Sequence, residues 1–151
     1  MLKLPEPLGT PASRIGITVL ISGGATSVGL YAIQFAKLSG LYVIATASLR
    51  NFGLVRSLGA DVVVDYHDPV AAGKQIREAA PNLEHAIDCV GEGASPAIVG
   101  ASLNGKGTVA QITLQPITVE GVRTVTSVIF EVIGKVRACT HHHRPFACLH
   151  L

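Results

Sequence analysis

Along this chain, short runs of β-branched residues alternate with stretches of helical period. Ile17 to Ile21 is an apolar run of strand length, of the kind buried on both sheet faces. After Ser22-Gly23-Gly24-Ala25-Thr26 the period changes, and from Ser27 onward Val28, Ala32, Phe35 and Ala36 share one face of a predicted helix. Lys37 in its last turn and Gly40 just beyond close that helix. Leu41 to Ala45 predicts a second strand. Ser48 is placed to cap a helix over about Leu49 to Leu58, which Gly59 ends, and Asp61 to Asp65 predicts a third strand. Asp68-Pro69 joins an N-cap to a proline at the first helical position, starting a helix that stops near Ala80-Pro81. Leu83 to Val90, a helix opening at Ser95-Pro96, and Gly107 to Ile112 follow. Thr124 to Ile133 reads equally as helix or strand. Five strands alternating with four helices predict an α/β fold, a doubly wound parallel sheet with right-handed crossovers.

The pattern also sets the organisation. Residues 1–16 carry Pro5, Pro7 and Pro11 without periodicity and read as an extended lead-in. Residues 17–134 form one domain, and 135–151 an irregular tail. With 48% hydrophobic and 15% charged residues, against a usual charged share of about 25%, the chain suits a parallel sheet covered on both sides. So few charges also hint at apolar surface that expects a partner. A formal charge of +2 is too small to argue for nucleic acid. Cys89, Cys139 and Cys148 are odd in number and lack C-x-x-C spacing, which argues against a disulfide framework. Cys139, His141, His142, His143, Cys148 and His150 are metal-ligand types, yet their spacing matches no zinc pattern. No charge falls between Arg14 and Lys37, a run long enough to span a bilayer. Paired glycines and hydroxyls at its centre argue against a membrane. No secretory leader pattern opens the sequence, so the expected location is cytoplasmic.

Strand, glycine turn and helix together aim backbone N–H groups and a helix dipole at a phosphate. That is the opening of the Rossmann NAD(P)-binding fold; the bland alternative is a tight turn. The usual G-x-G-x-x-G appears here as Gly24-Ala25-Thr26-Ser27-Val28-Gly29, with Thr26 in place of the middle glycine. A threonine there crowds the approach of a pyrophosphate, while its hydroxyl and those of Ser22 and Ser27 can donate to phosphate oxygens. An acidic residue about 20 positions on would select NAD. The second strand instead ends in Thr46-Ala47-Ser48-Leu49-Arg50-Asn51, without a carboxylate. Ser48 and Arg50 suit a 2′-phosphate, so NADP(H) is the expected cofactor; a helix cap beside a solvated arginine is the alternative. Tyr66, at the end of the third strand, can face the adenosine or be a plain strand-end tyrosine. Asp88-Cys89-Val90-Gly91 ends the fourth strand, where ribose and nicotinamide are expected. Cys89 reads first as a small buried residue. No tyrosine precedes a lysine by four positions, and no G-x-S-x-G elbow occurs, so no catalytic set is assigned.

The series VLISGGATSVGLYAIQFAKLSG, VIATAS, NFGLVRSLGADVVVDY, AIDCVG and GKGTVAQI resembles the cofactor domain of zinc-independent medium-chain dehydrogenases/reductases. It is most similar to the trans-acting enoyl reductases of fungal polyketide pathways, where S-G-x-x-x-I-A-T-x-S-x-x-N-F and D-Y-x-x-P recur. The resemblance runs from about Leu4 to Gly134. It implies NADPH-dependent reduction of an enoyl thioester or related activated alkene, with a polyketide synthase as partner. It assigns the phosphate loop to Gly23, Gly24, Ala25, Thr26, Ser27 and Val28. The 2′-phosphate end falls to Ser48, Arg50 and Asn51 with Tyr66 beside it, and the nicotinamide-ribose side to Cys89 and Val90. The family's GroES-like domain and its C-terminal return segment have no counterpart in this sequence. The expectation is therefore a truncated cofactor domain, inactive alone, or a non-catalytic nucleotide-binding module.

Overall fold

The computed structural model describes residues 16–103, 105–112 and 120–126. The strands are β1 (Thr18–Ser22), β2 (Tyr42–Ala47), β3 (Val62–Asp65), β4 (His85–Asp88), β5 (Gly107–Gln111) and β6 (Val122–Thr126). Between them lie α1 (Ser27–Leu38), α2 (Phe52–Ser57), α3 (Pro69–Ala79) and α4 (Ser95–Leu103). All strands pair in parallel in the order β3-β2-β1-β4-β5-β6. The chain steps outward from β1 to β3, then crosses back to β4 on the other side of β1. That reversal opens a crevice above the carboxyl ends of β1 and β4.

Period-two alternation divides the core into two layers. Leu20, Ile44, Val64, Ala86 and Val109 point to one face, where Ala72 and Ile76 of α3 and Ile98, Val99 and Leu103 of α4 cover them. Val19, Ile21, Val43, Ala45 and Val63 point to the other, under Ile33 and Ala36 of α1 and Val55 of α2. The doubly wound parallel sheet expected from the sequence is the fold observed. Lys37 helps tie α1 to the sheet: its Nζ donates to Asp61 Oδ2 at 2.7 Å, and the same oxygen accepts the Val43 N–H at 2.8 Å.

Several boundaries differ from the sequence reading, each for a local reason. α1 is rotated from its expected face. Gly29, Ile33 and Ala36 are buried, whereas Val28 and Phe35 are 41% and 56% exposed. Gly29 sets that rotation, because only its bare backbone fits against the loop before the helix. With Tyr31 and Leu38, those exposed side chains give α1 an apolar outer face. The segment after β2 begins as a 3₁₀ turn, Leu49–Asn51, and the Ser48 side chain caps none of its backbone N–H groups; its Oγ accepts from Asn51 Nδ2 at 3.1 Å instead. β4 is shorter than Leu83 to Val90, because the Asp88 side chain takes the N–H groups of Val90 and Gly91 and bends the chain out of the ladder. β6 resolves the start of the ambiguous stretch at Thr124 as strand; the rest, residues 1–15 of the lead-in and the histidine-rich tail lie outside the described residues. The long uncharged run is split between β1, the loop and α1. Among the described residues no helix is long and apolar enough to cross a membrane.

Asp68 caps α3 as the sequence indicates, accepting from Val70 N and Ala71 N at 3.0 Å each. Asp68→Ala should lower unfolding free energy by about 1 kcal/mol in urea titration; an unchanged midpoint would show that the cap is redundant.

Cys89 lies in the core layer beneath α1. Burial, and secondarily the neighbouring Asp88 charge, push its thiol from 9.0 up to about 12. Between those values the folded chain keeps a proton that the unfolded chain gives up, so this group's contribution to stability is lost as pH rises through the window. Unfolding midpoints at pH 8, 9 and 10 should fall more steeply for the native chain than for Cys89→Ala, by up to about 1.4 kcal/mol per pH unit. Parallel curves would contradict that environment.

Candidate functional site

Each wall of the site follows from a strand end. β1 stops at Ser22, and Gly23 turns the backbone at a φ of 78°. A Cβ there would stand 2.5 Å from Val90 Cγ2, so glycine lets the loop lie against the β4 end. Gly24 donates its N–H to the Thr46 carbonyl at 2.8 Å, and Gly23 donates to Thr46 Oγ1 at 3.0 Å. Thr26 is the N-cap of α1: its hydroxyl accepts from the Gly29 N–H at 3.1 Å and donates to the Gly23 carbonyl at 2.8 Å. The sequence reading offered that hydroxyl to a phosphate; its proton is already spent inside the loop. Among the described residues, the N–H groups of Ala25, Ser27 and Val28 meet no acceptor. These are free donors at the positive end of a helix dipole, the arrangement that binds phosphate.

A cavity of about 440 Å³ opens beside this loop. It brings together Gly23, Ala25 and Thr26 with Ser48, Arg50, Asn51, Tyr66 and Val90, residues the sequence reading drew from four separate segments. Asn51 Nδ2 fills the acceptor side of Ser48 Oγ, which leaves the Ser48 proton for a ligand. Arg50 is exposed and has no side-chain partner among the described residues. Tyr66 stacks on His67 with ring centroids 4.5 Å apart, and the His67 Nδ1–Asp65 Oδ1 contact of 2.5 Å fixes that pair. The hydrogen bond from His67 holds the Asp65 carboxyl below its ordinary value.

Four expected residues do not line the cavity. Gly24 packs against Ala45 and Ile33 beneath it. Ser27 and Val28 lie on the exposed first turn of α1, where only their N–H groups face the loop mouth. Cys89 is core, 5% exposed, because the β4 pleat turns it toward the α1 layer while Val90 meets the cavity. Val90 lines the same cavity as Ser48, Arg50 and Tyr66.

The sequence reading missed the opposite wall, Glu92 to Ser95 and Ile98, and Thr46 in the floor; Ser22, the other floor residue, it had offered to a phosphate. A buried polar hub builds that floor. Asp88 Oδ1 accepts from Val90 N at 3.0 Å, Gly91 N at 3.1 Å and Ser95 Oγ at 2.5 Å, while Ser95 Oγ lies 2.8 Å from Ser22 Oγ. The signal was present in part: Asp at a strand end, then Gly91 and Gly93, then Ser-Pro. Which side chains it would join was not.

Residues 27–138 match the family model described as zinc-binding dehydrogenase. A trans-enoyl reductase of Alternaria alternata is 43% identical over 102 residues, which are 67% of this chain and 29% of that protein. One from Macrophomina phaseolina is 44% identical over 108 residues, 69% of this chain and 30% of that protein. Among solved structures, a mycobacterial protein complexed with NADPH superposes with a TM-score of 0.66 and 28% identity over 82% of this chain and 42% of that one. A quinone oxidoreductase from Coxiella burnetii gives 0.62 and 31% over 75% of this chain and 36% of that one. The chain thus spans about three-tenths of the length of these curated relatives. Although the family's description names zinc, no three His, Cys, Asp or Glu side chains converge to hold a metal among the described residues. The glycine loop, the parallel sheet and the family match agree: this chain belongs to the zinc-binding dehydrogenase family and is related to fungal trans-enoyl reductases.

Proposed function

We propose that this chain binds NADPH as the cofactor-holding part of an oxidoreductase of the enoyl reductase type. One observation carries the reading: a single cavity gathers Ser48, Arg50 and Tyr66 beside a glycine loop with free amide donors. The N–H groups of Ala25, Ser27 and Val28 would hold the diphosphate at the α1 dipole. The Ser48 hydroxyl and the Arg50 guanidinium would take the 2′-phosphate by charge-assisted bonds, with Tyr66 against the adenosine. Val90 and Ile98 give the nucleotide an apolar wall. When bound, the dinucleotide supplies a hydride; the residues named here position it and exclude water from one side. The NADPH complex of the mycobacterial neighbour supports the choice of cofactor.

The acceptor in this proposal is an enoyl thioester or a related activated alkene, delivered by a polyketide synthase. The trans-enoyl reductases among the relatives support that class. A second reading is a nucleotide-binding module without turnover.

Titration with NADPH tests the cofactor reading, and no binding at millimolar concentration would sink it. No loss of NADPH absorbance is expected when a crotonyl thioester is added to this chain by itself; oxidation would overturn the expectation that it is inactive alone. Arg50→Ala should weaken NADPH by about tenfold and NADH by under twofold. Equal losses would remove the 2′-phosphate role of Arg50.

A further inference from the structure

We propose that Ser22 reads the bound nucleotide only as a hydrogen-bond acceptor, and that Asp88 enforces this through Ser95. The inference rests on the nucleotide reading of the cavity and deepens it. Asp88 Oδ1 already accepts two backbone N–H groups, Val90 at 3.0 Å and Gly91 at 3.1 Å, so it is an acceptor toward Ser95 as well. The single Ser95 proton is therefore committed to Asp88 at 2.5 Å. The 2.8 Å contact between Ser95 Oγ and Ser22 Oγ then needs its proton from Ser22. A proton on Asp88 Oδ2, which has no partner, would leave this order unchanged.

Asp88, Ser95 and Ser22 are 0%, 7% and 1% exposed, so bulk water competes little for the bonds within the relay. Ser22 and Ser95 nonetheless line the cavity. With its proton held by Ser95, the Ser22 Oγ has only lone pairs to offer a ligand in the cavity that Ser22 lines. A phosphate oxygen would meet it lone pair to lone pair, contrary to the sequence expectation that Ser22 donates to phosphate. A ligand hydroxyl or amino group would satisfy it. Beside it on β2, Thr46 has the reverse polarity: Oγ1 accepts the Gly23 N–H at 3.0 Å, and its own proton meets no acceptor among the described residues. The floor thus pairs one acceptor with one donor, the signature of a site for a nucleoside rather than for a second phosphate. Because Ser22 shares its cavity with Ser48, Arg50 and Tyr66, the donor belongs to the adenosine half: a ribose hydroxyl or the exocyclic amine.

The test uses the full chain and three probes: adenosine 2′,5′-bisphosphate, its 3′-deoxy analogue and its inosine counterpart. Ser22→Ala leaves the Asp88–Ser95 bond in place and should weaken the parent probe by about five- to tenfold. The analogue lacking the donor that Ser22 serves should bind the native chain and Ser22→Ala equally. Equality for the 3′-deoxy probe identifies the ribose, and for the inosine probe the amine. Ser95→Ala removes the acceptor that holds the Ser22 proton, and should shrink the native chain's discrimination between parent and analogue to under twofold. If Ser22→Ala weakens all three probes alike, or weakens none, or lowers affinity for inorganic pyrophosphate, Ser22 is not a nucleoside acceptor. A native chain that binds neither NADPH nor the parent probe sinks the nucleotide reading itself. Binding without Ser22 coupling sinks only this inference.

Discussion

The backbone of Gly29 lies so close to the Gly23 carbonyl that a Cβ would stand 2.2 Å from the oxygen. That approach cannot relax, because the contacting atom is backbone rather than the end of a flexible side chain. It brings the first turn of α1 down onto the glycine loop, and Thr26 stitches the two together through a hydroxyl that both accepts and donates. Two consequences follow from one contact. The helix is rotated so that Gly29, Ile33 and Ala36 face the sheet. The N–H groups of Ser27 and Val28 are left without an acceptor among the described residues, at the end of the helix where partial positive charge accumulates. The fold and the candidate phosphate site are thus set by the same few atoms.

The second constraint is the carboxyl of Asp88. It is fully buried, and one of its oxygens gathers two amides and a hydroxyl. Burying such a group is costly unless it is hydrogen-bonded, and removing it would leave three donors without an acceptor. The return is geometric. The carboxyl ends β4 early, folds Val90 toward Gly23, and fastens the first residue of α4 to the last residue of β1. The cavity exists because these two strand ends, on opposite sides of the chain's reversal, are held at a fixed separation.

α1 carries the clearest imbalance between sequence and surface. Its outer face presents Val28, Tyr31, Phe35 and Leu38, while its inner face joins Gly29 and Ala36 to the fully buried Ile33. Small residues are needed where α1 approaches the loop and sheet closely, and the larger apolar side chains are displaced outward.

Much of the fold was legible in the chain. Runs such as Val62–Asp65 announce strands because β-branched residues fit a pleated, doubly covered surface, and Asp68-Pro69 announces α3 because cap and constrained φ act within three residues. The glycine loop and the carboxylate-free end of β2 were legible for the same reason: their chemistry depends on near neighbours. The rotation of α1, the spent proton of Thr26 and the far wall at Glu92 to Ser95 were not. A helical period fixes which residues share a face but not which face turns inward, and that was decided by a glycine meeting a backbone carbonyl. The Ser22–Ser95 bond joins residues 73 positions apart. Only the crossover that sets β4 beside β1 brings them within reach, so the direction in which those hydroxyls point belongs to the assembled sheet.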